Sequence, residues 1–160
     1  MLYRQLLKDD FEKLPRALRE FHSAPGGGRA LGTVAVRHAR GMLARLAGFP
    51  RSGEGIPLRL EVEATGDREV WVRRFGDDVL RTTQQRQGDL LLETMGPVRV
   101  LFRLAADGKG IRFESERTRL WMIPLPVRVT AMAAGGDSSW EFEVTVSRIG
   151  SYRGAVVRVL

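Results

Sequence analysis

From Leu58 onward, apolar and charged residues alternate along the chain with a period of two. Leu58, Leu60 and Val62 fall on one side of this pattern, and Arg59 and Glu61 fall on the other. Successive side chains of a β-strand lie on opposite faces of a sheet, so this rhythm predicts strands with one apolar and one charged face. A helical period near 3.6 is not indicated over this part of the chain.

The same alternation returns in several later runs. Short turn segments separate them, among them TGDR, FGDD, QGD, ADGKG and AGGDS. Parallel neighbours need a crossover of a dozen residues or more, so connections this short predict antiparallel neighbours in a meander of about eight strands. The later runs are marked by Val70, Val72, Val98, Val100, Phe102, Leu104, Ile111, Phe113, Trp140, Phe142, Val144 and Val146.

The first part of the chain has a helical pattern instead. Apolar residues spaced by three and four predict short helices at about 2–9 and 14–22, with a break near Pro15. Met42, Leu43, Leu46 and Ala47 predict a further short helical face. Because the apolar face of the sheet needs a cover, we predict an α+β fold. In it a strongly curled antiparallel β-sheet of about eight strands is covered by the short N-terminal helices, and residues 1–160 form a single domain.

Composition excludes several functional classes. The 160 residues include no cysteine, which removes thiol nucleophiles, disulfides and thiolate zinc sites. The N-terminus scatters charges where a signal peptide needs an apolar segment, and no stretch is long enough for a membrane span. We therefore expect a cytoplasmic protein without a membrane span.

The net charge of +7 comes from 26 basic and 19 acidic residues. Nucleic-acid surfaces usually show a clustered basic stripe, whereas the arginines here are spread one or two at a time with acids between them. This spacing favours solvated faces, and nucleic acid is not a favoured partner.

Catalytic and cofactor motifs are poorly represented. The glycines from Gly26 to Gly32 follow a helix and precede a strand, the reverse of a dinucleotide-binding loop. His22 and His38 have no paired ligand spacing, so no metal site is predicted. We predict no cofactor, and the sequence favours a non-enzymatic role over an enzymatic one. Carboxylate pairs such as Asp77 and Asp78 leave acid and arginine chemistry open, although turn formation is the preferred explanation for them.

One set of aromatic and arginine residues lies on the predicted strands or at their ends. A cavity lined by such groups would suit an apolar or amphipathic small molecule with an acidic head. The alternative is that the same aromatic residues are ordinary core packing. The candidate ligand-binding residues are Trp71, Arg73, Arg103, Trp121, Trp140 and Tyr152.

The segment WMIPLP, residues 121–126, carries two prolines. Proline cannot donate to a strand ladder, so Pro124 and Pro126 belong at an edge, a bulge or a connection. We predict a bent join between strands at 111–117 and 127–132. A role as the rim of a pocket is the second interpretation.

Several phrases in order along the chain carry a resemblance: LYRQLLKDDFEKLPRALREFH, GTVAVRHARGMLARLAGFP, EVWVRRFG, ETMGPVRVLFRL, IPLP and YRG. Together they resemble the bacterial family known as domain of unknown function 4166. Its members occur alone or attached to Rossmann-type oxidoreductase or epimerase-like domains. The resemblance implies an accessory or ligand-presenting role, with any oxidoreductase partner acting in trans. It marks as motif positions Trp71, Arg73, Phe75, Tyr152, Arg153 and Gly154.

Two functional hypotheses follow. The first is a non-enzymatic domain that binds an apolar or amphipathic small molecule on the concave side of the sheet. The second is a structural or protein-interaction module, a homodimer in its simplest form, in which the aromatic residues are core.

Overall fold

The computed structural model describes residues 1–38, 44 and 48–159. These residues form eleven strands, and the predicted antiparallel pairing is confirmed. The strands are β1 (Arg29–His38), β2 (Gly53–Thr65), β3 (Arg68–Phe75), β4 (Asp78–Gln87), β5 (Leu90–Met95), β6 (Val98–Asp107), β7 (Gly110–Leu120), β8 (Ile123–Pro124), β9 (Val129–Gly135), β10 (Ser139–Val146) and β11 (Gly150–Val159).

The sheet closes on itself. β1 pairs with β11 along its whole length, from Arg29 opposite Val159 to His38 opposite Gly150. Each of the other long strands pairs with its neighbours in the chain, so ten described strands form a closed barrel and the short β8 pairs with β7 alone. The predicted open, curled sheet of about eight strands is therefore wrong, and strand dominates over helix.

Two physical reasons explain this error. β4 reads DVLRTTQQRQ, which has polar side chains on both faces, and β5 reads LLLETM, so neither strand shows the alternation that marks the others. Closure depends on pairing between the first and the last strand. No local pattern signals a contact between segments at opposite ends of the chain.

The N-terminal segment forms helix α1 (Leu2–Leu7), a 3₁₀ helix (Lys8–Lys13) and helix α2 (Arg16–Ser23). These helices cover one end of the barrel and not the face of a sheet. The Ala17 N–H donates to Gly136 O at 3.1 Å, in the connection between β9 and β10. Lys8 Nζ lies 3.4 Å from Oδ1 of Asp89, in the connection between β4 and β5. We call this the plugged end of the barrel.

The opposite end, which we call the mouth, carries the turns at 76–77, 96–97, 121–122 and 147–149. WMIPLP lies here. β7 turns at Trp121 and Met122 into β8, which folds back so that Pro124 pairs with Arg119 at the edge of the sheet.

The predicted helical face of Met42, Leu43, Leu46 and Ala47 lies outside the described residues. In the described part of the chain, the helices are all too short or too polar to cross a bilayer.

Candidate ligand cavity

The barrel encloses a cavity of about 180 Å³. Barrel diameter grows with strand number, and eight strands already give an interior that side chains only just fill. Ten strands therefore leave space unless the side chains are unusually large. Most of the wall is aliphatic or aromatic and includes Leu58, Leu60, Val100, Phe102, Ile111, Phe113, Val129, Phe142, Val144 and Val146.

The size of the cavity sets the size of a possible ligand. A water molecule occupies about 30 Å³ of liquid, and an apolar cavity of about 150 Å³ in another protein stays dry and binds benzene. The space of about 180 Å³ is thus suited to a substituted aromatic ring or a compact branched hydrocarbon. Phe113, Phe142 and Tyr152 point inward and are still only partly buried, because they face this space.

Helix α2 forms the floor of the cavity at the plugged end. The Phe21 ring lies 4.9 Å from the Trp140 ring and 5.7 Å from the Trp71 ring, measured between centroids. The His22 ring stacks on Tyr3 at 3.8 Å. Burial lowers the pKa of His22 to about 3, so its imidazole is neutral at ordinary pH. His22 makes no hydrogen bond within the described part of the protein.

A charged pair lies in the cavity wall, with Arg73 on β3 and Glu93 on β5, the two strands on either side of β4. The Arg73 guanidinium donates to Thr82 Oγ1 at 2.8 Å and to Glu93 Oε1 at 3.1 Å. The Thr82 hydroxyl donates to the same Glu93 oxygen at 2.6 Å, and Arg73 lies 4.9 Å from the centre of the Trp71 ring. Glu93 therefore compensates the charge of Arg73, and an acidic ligand head would have to displace it.

A second group of polar side chains lies nearer the plugged end. The Tyr3 hydroxyl donates to Gln84 Oε1 at 2.8 Å, and the Trp71 Nε1–H donates to Glu69 Oε2 at 3.0 Å. Glu69 is only 3% exposed. Burial raises the pKa of Glu69 to about 7, while the hydrogen bond from Trp71 acts in the opposite direction. Burial, together with the negative charge of Glu69, raises the pKa of Tyr3 well above its ordinary value.

Two hydroxyl groups in the wall have no hydrogen-bond partner among the described residues. One is Thr118 Oγ1, which is fully buried. The other belongs to Tyr152, whose ring packs edge-on against Phe75 at 5.3 Å and Phe142 at 6.1 Å. Burial raises the pKa of Tyr152, so this hydroxyl keeps its proton. Since buried polar groups normally have partners, the Tyr152 hydroxyl is available to a ligand, whereas Thr118 Oγ1 has no accessible surface toward the cavity.

The structure brings together four of the six predicted site residues. Trp71, Arg73, Trp140 and Tyr152 all line the cavity, as does the motif residue Phe75. Arg103 and Trp121 do not. The side chain of Arg103 is 65% exposed and pairs with Glu116 at 2.7 Å, and Trp121 is 64% exposed at the mouth.

The other two motif positions have different surroundings. Arg153 is exposed on the outside of β11. Gly154 lies where β11 passes close to both neighbouring strands, since a Cβ there would be 2.2 Å from Thr33 O and 2.9 Å from the Phe142 ring. Glycine at this position permits the close approach of the strands.

Sequence reasoning missed the polar partners of Arg73 and of Tyr3. Thr82 and Gln84 lie in β4, and Glu93 in β5, the two long strands that were not predicted. The sequence does contain an indirect indication of a strand with a polar buried face. RTTQQRQ has strand-forming threonines without any apolar face, which is typical of a strand whose buried face is polar.

Comparison with known proteins adds nothing to this description: no family model, no curated protein and no solved structure matches the chain. The resemblance to domain of unknown function 4166, and the accessory role beside an oxidoreductase that it implies, therefore stay predictions.

Proposed function

We propose that the protein binds a small, mainly apolar molecule inside the barrel and does so without catalysing a reaction. The observation that carries this proposal is the mainly apolar cavity of about 180 Å³ inside the barrel, whose wall includes Tyr152 with a hydroxyl that has no hydrogen-bond partner among the described residues. Binding sites are commonly mainly apolar spaces with a few convergent polar groups, and the mouths of barrels are among their usual places.

The polar groups indicate the chemistry of the ligand. Arg73 is already bonded to Glu93 and Thr82, so the site offers no uncompensated positive charge. Tyr152 offers a neutral hydroxyl. A neutral ligand that carries one hydroxyl or carbonyl group is therefore favoured over the acid-headed ligand expected from the sequence.

Three probes of nearly equal size test this preference: toluene, benzyl alcohol and benzoate. Binding is measured by calorimetry and by chemical-shift changes in the protein. We expect benzyl alcohol to bind most tightly, toluene less tightly and benzoate least, because its carboxylate would be buried beside Glu93. Tightest binding of benzoate would contradict the neutral-ligand proposal, and failure of all three would contradict binding in this cavity.

Two neighbouring substitutions on β10 locate the binding site. Val144 faces the cavity, whereas the next residue, Thr145, is exposed on the outer face of the barrel. Val144→Phe fills part of the space and is expected to weaken the binding of toluene and benzyl alcohol by roughly tenfold or more. Thr145→Phe adds a similar side chain outside the barrel and is expected to leave binding unchanged.

Tyr152→Phe separates the hydroxyl from the packing of the ring. We expect it to reduce the preference for benzyl alcohol over toluene by roughly fivefold, in line with one hydrogen bond. The binding of toluene itself should change little. Far-ultraviolet circular dichroism and thermal melting check that each variant keeps the fold.

A further inference from the structure

Three consecutive apolar side chains project into solvent at the mouth. Trp121, Met122 and Ile123 are 64%, 74% and 61% exposed, and we call them the mouth tip. The other two tryptophans, Trp71 and Trp140, are buried inside the barrel. Contiguous exposed apolar side chains of this kind mark a contact surface more often than a scattered exposed residue does.

The mouth tip is held in place by its backbone. The Trp121 N–H donates to Pro97 O at 2.8 Å, and the Leu125 N–H donates to Thr118 O at 2.9 Å. Trp121 has φ of 52°, at the turn position where glycine is favoured. A bulky residue is strained in this conformation, and its exposed side chain gains little from packing. The backbone thus presents the indole to solvent at a cost in stability.

Positive charge surrounds the mouth tip. Arg99 and Arg119 are directly opposite each other on β6 and β7, and Arg117 is two residues before Arg119. Arg148 lies in the turn between β10 and β11, at the same end of the barrel. In the described part of the chain, these four arginines have no ion pair, and Arg119 Nε is buried without a hydrogen-bond partner.

The acidic residues of β7 do not offset this charge. Glu114 Oε2 lies 3.9 Å from Arg128 Nη2, and Glu116 Oε1 lies 2.7 Å from Arg103 Nε. Each therefore has a basic partner of its own. The four arginines near the mouth tip keep a surplus of positive charge that a partner has to neutralise.

We propose that the mouth tip docks the protein on the surface of an anionic lipid bilayer. Tryptophan favours the level of the lipid headgroups, Met122 and Ile123 reach the acyl boundary, and the arginines meet the anionic headgroups. A second copy of the chain would bring the same positive charge to the contact and be repelled. Docking in this orientation turns the mouth of the barrel toward the membrane.

Vesicle co-sedimentation with the full chain tests this proposal. The probes are vesicles of phosphatidylcholine alone and vesicles of phosphatidylcholine mixed with phosphatidylglycerol. We expect binding to the mixed vesicles, weaker binding to the zwitterionic vesicles, and loss of binding at high salt because exposed charges are screened. A blue shift of tryptophan fluorescence should accompany binding and be absent from Trp121→Ser.

Matched pairs of variants separate the charge and the apolar side chains of the tip from general effects. Arg99→Gln with Arg117→Gln is expected to weaken binding by about fivefold per arginine. Arg86→Gln with Lys109→Gln removes the same charge near the plugged end and should have little effect.

Trp121→Ser with Met122→Ser should weaken binding by roughly tenfold or more. Leu31→Ser with Val157→Ser changes two exposed apolar residues on the barrel wall and serves as its control.

Three results would overturn the proposal. The first is equal vesicle binding by the tip variant and the unmodified protein. The second is equal loss of binding in the tip variant and its wall control. The third is binding to single-stranded DNA that depends on the same residues while anionic vesicles do not bind. Sedimentation velocity supplies a further check by measuring self-association. If the tip variant loses self-association but still binds vesicles, the mouth tip is a dimer contact and not a membrane contact.

Discussion

The two ends of the barrel treat aromatic and charged side chains in opposite ways. At the plugged end, Phe21 and Tyr3 are buried, and the carboxyl of Glu69 is buried with them and bonded to Trp71. At the mouth, Trp121 and Met122 are exposed beside arginines that have no ion pair in the described part of the chain. The plugged end therefore has the features of a structural core, and the mouth has those of a contact surface.

This difference has a physical cause. The helices remove the plugged end from water, so every polar group there needs a partner or a neutral form. The mouth has no such requirement, because its exposed side chains remain in contact with water. Substitutions should accordingly change stability at the plugged end and binding at the mouth.

The largest expected effect on stability is that of Phe21→Ala. Phe21 is 3% exposed and packs against Trp71 and Trp140, so its removal leaves a void between α2 and the barrel. We expect a loss of about 3–5 kcal/mol in the free energy of unfolding, measured by chemical denaturation. Met122→Ala at the mouth should change it by less than about 0.5 kcal/mol. Similar losses for both variants would remove the distinction between the two ends.

The next prediction concerns pH and Glu69, whose pKa is raised to about 7 by burial from an ordinary value of 4.5. The folded state binds the proton more tightly than the unfolded state does. Glu69 therefore destabilises the fold least below pH 4.5, and its cost grows as the pH rises from 4.5 through 7. We expect Glu69→Gln to be roughly 3 kcal/mol more stable relative to the unmodified protein at high pH than at low pH.

The measurement is the difference between the two proteins in the free energy of unfolding across this pH range. Groups common to both proteins cancel in that difference, including His22, which acts in the opposite direction. Burial lowers the pKa of His22 from its ordinary value of 6.5 to about 3. The neutral imidazole of the folded state therefore contributes less to the free energy of unfolding as the pH drops below 6.5. A difference independent of pH would show that Glu69 does not keep its proton in the folded protein.

Local patterns predicted much of the fold. The alternation after Leu58 predicted the antiparallel strands, and the three-and-four spacing on both sides of Pro15 predicted the short helices. Closure of the barrel could not be predicted in this way, because β1 and β11 pair across the whole chain. Helices that cover one end and helices that cover a face also leave the same apolar stripe in the sequence.

The candidate site was partly predictable for a similar reason. Aromatic residues are rare enough to stand out, and Trp71, Trp140 and Tyr152 do line the cavity. Glu93 and Thr82 lie on strands without a regular alternation, where charge indicates solvent exposure by default. Trp121 was grouped with the interior residues because sequence alone does not separate a buried tryptophan from one that a turn exposes.

The smallest expected effect on stability is a gain at the mouth from Trp121→Gly. Glycine adopts the φ of 52° without strain, and the exposed indole contributes little packing to lose. We expect the free energy of unfolding to rise by about 1 kcal/mol or slightly less, measured by denaturation, while vesicle binding weakens. Met122→Gly lacks the strain to relieve and should show no gain. Loss of stability in Trp121→Gly would mean that the indole packs on the barrel, and the mouth would then resemble the plugged end more closely than its exposure suggests.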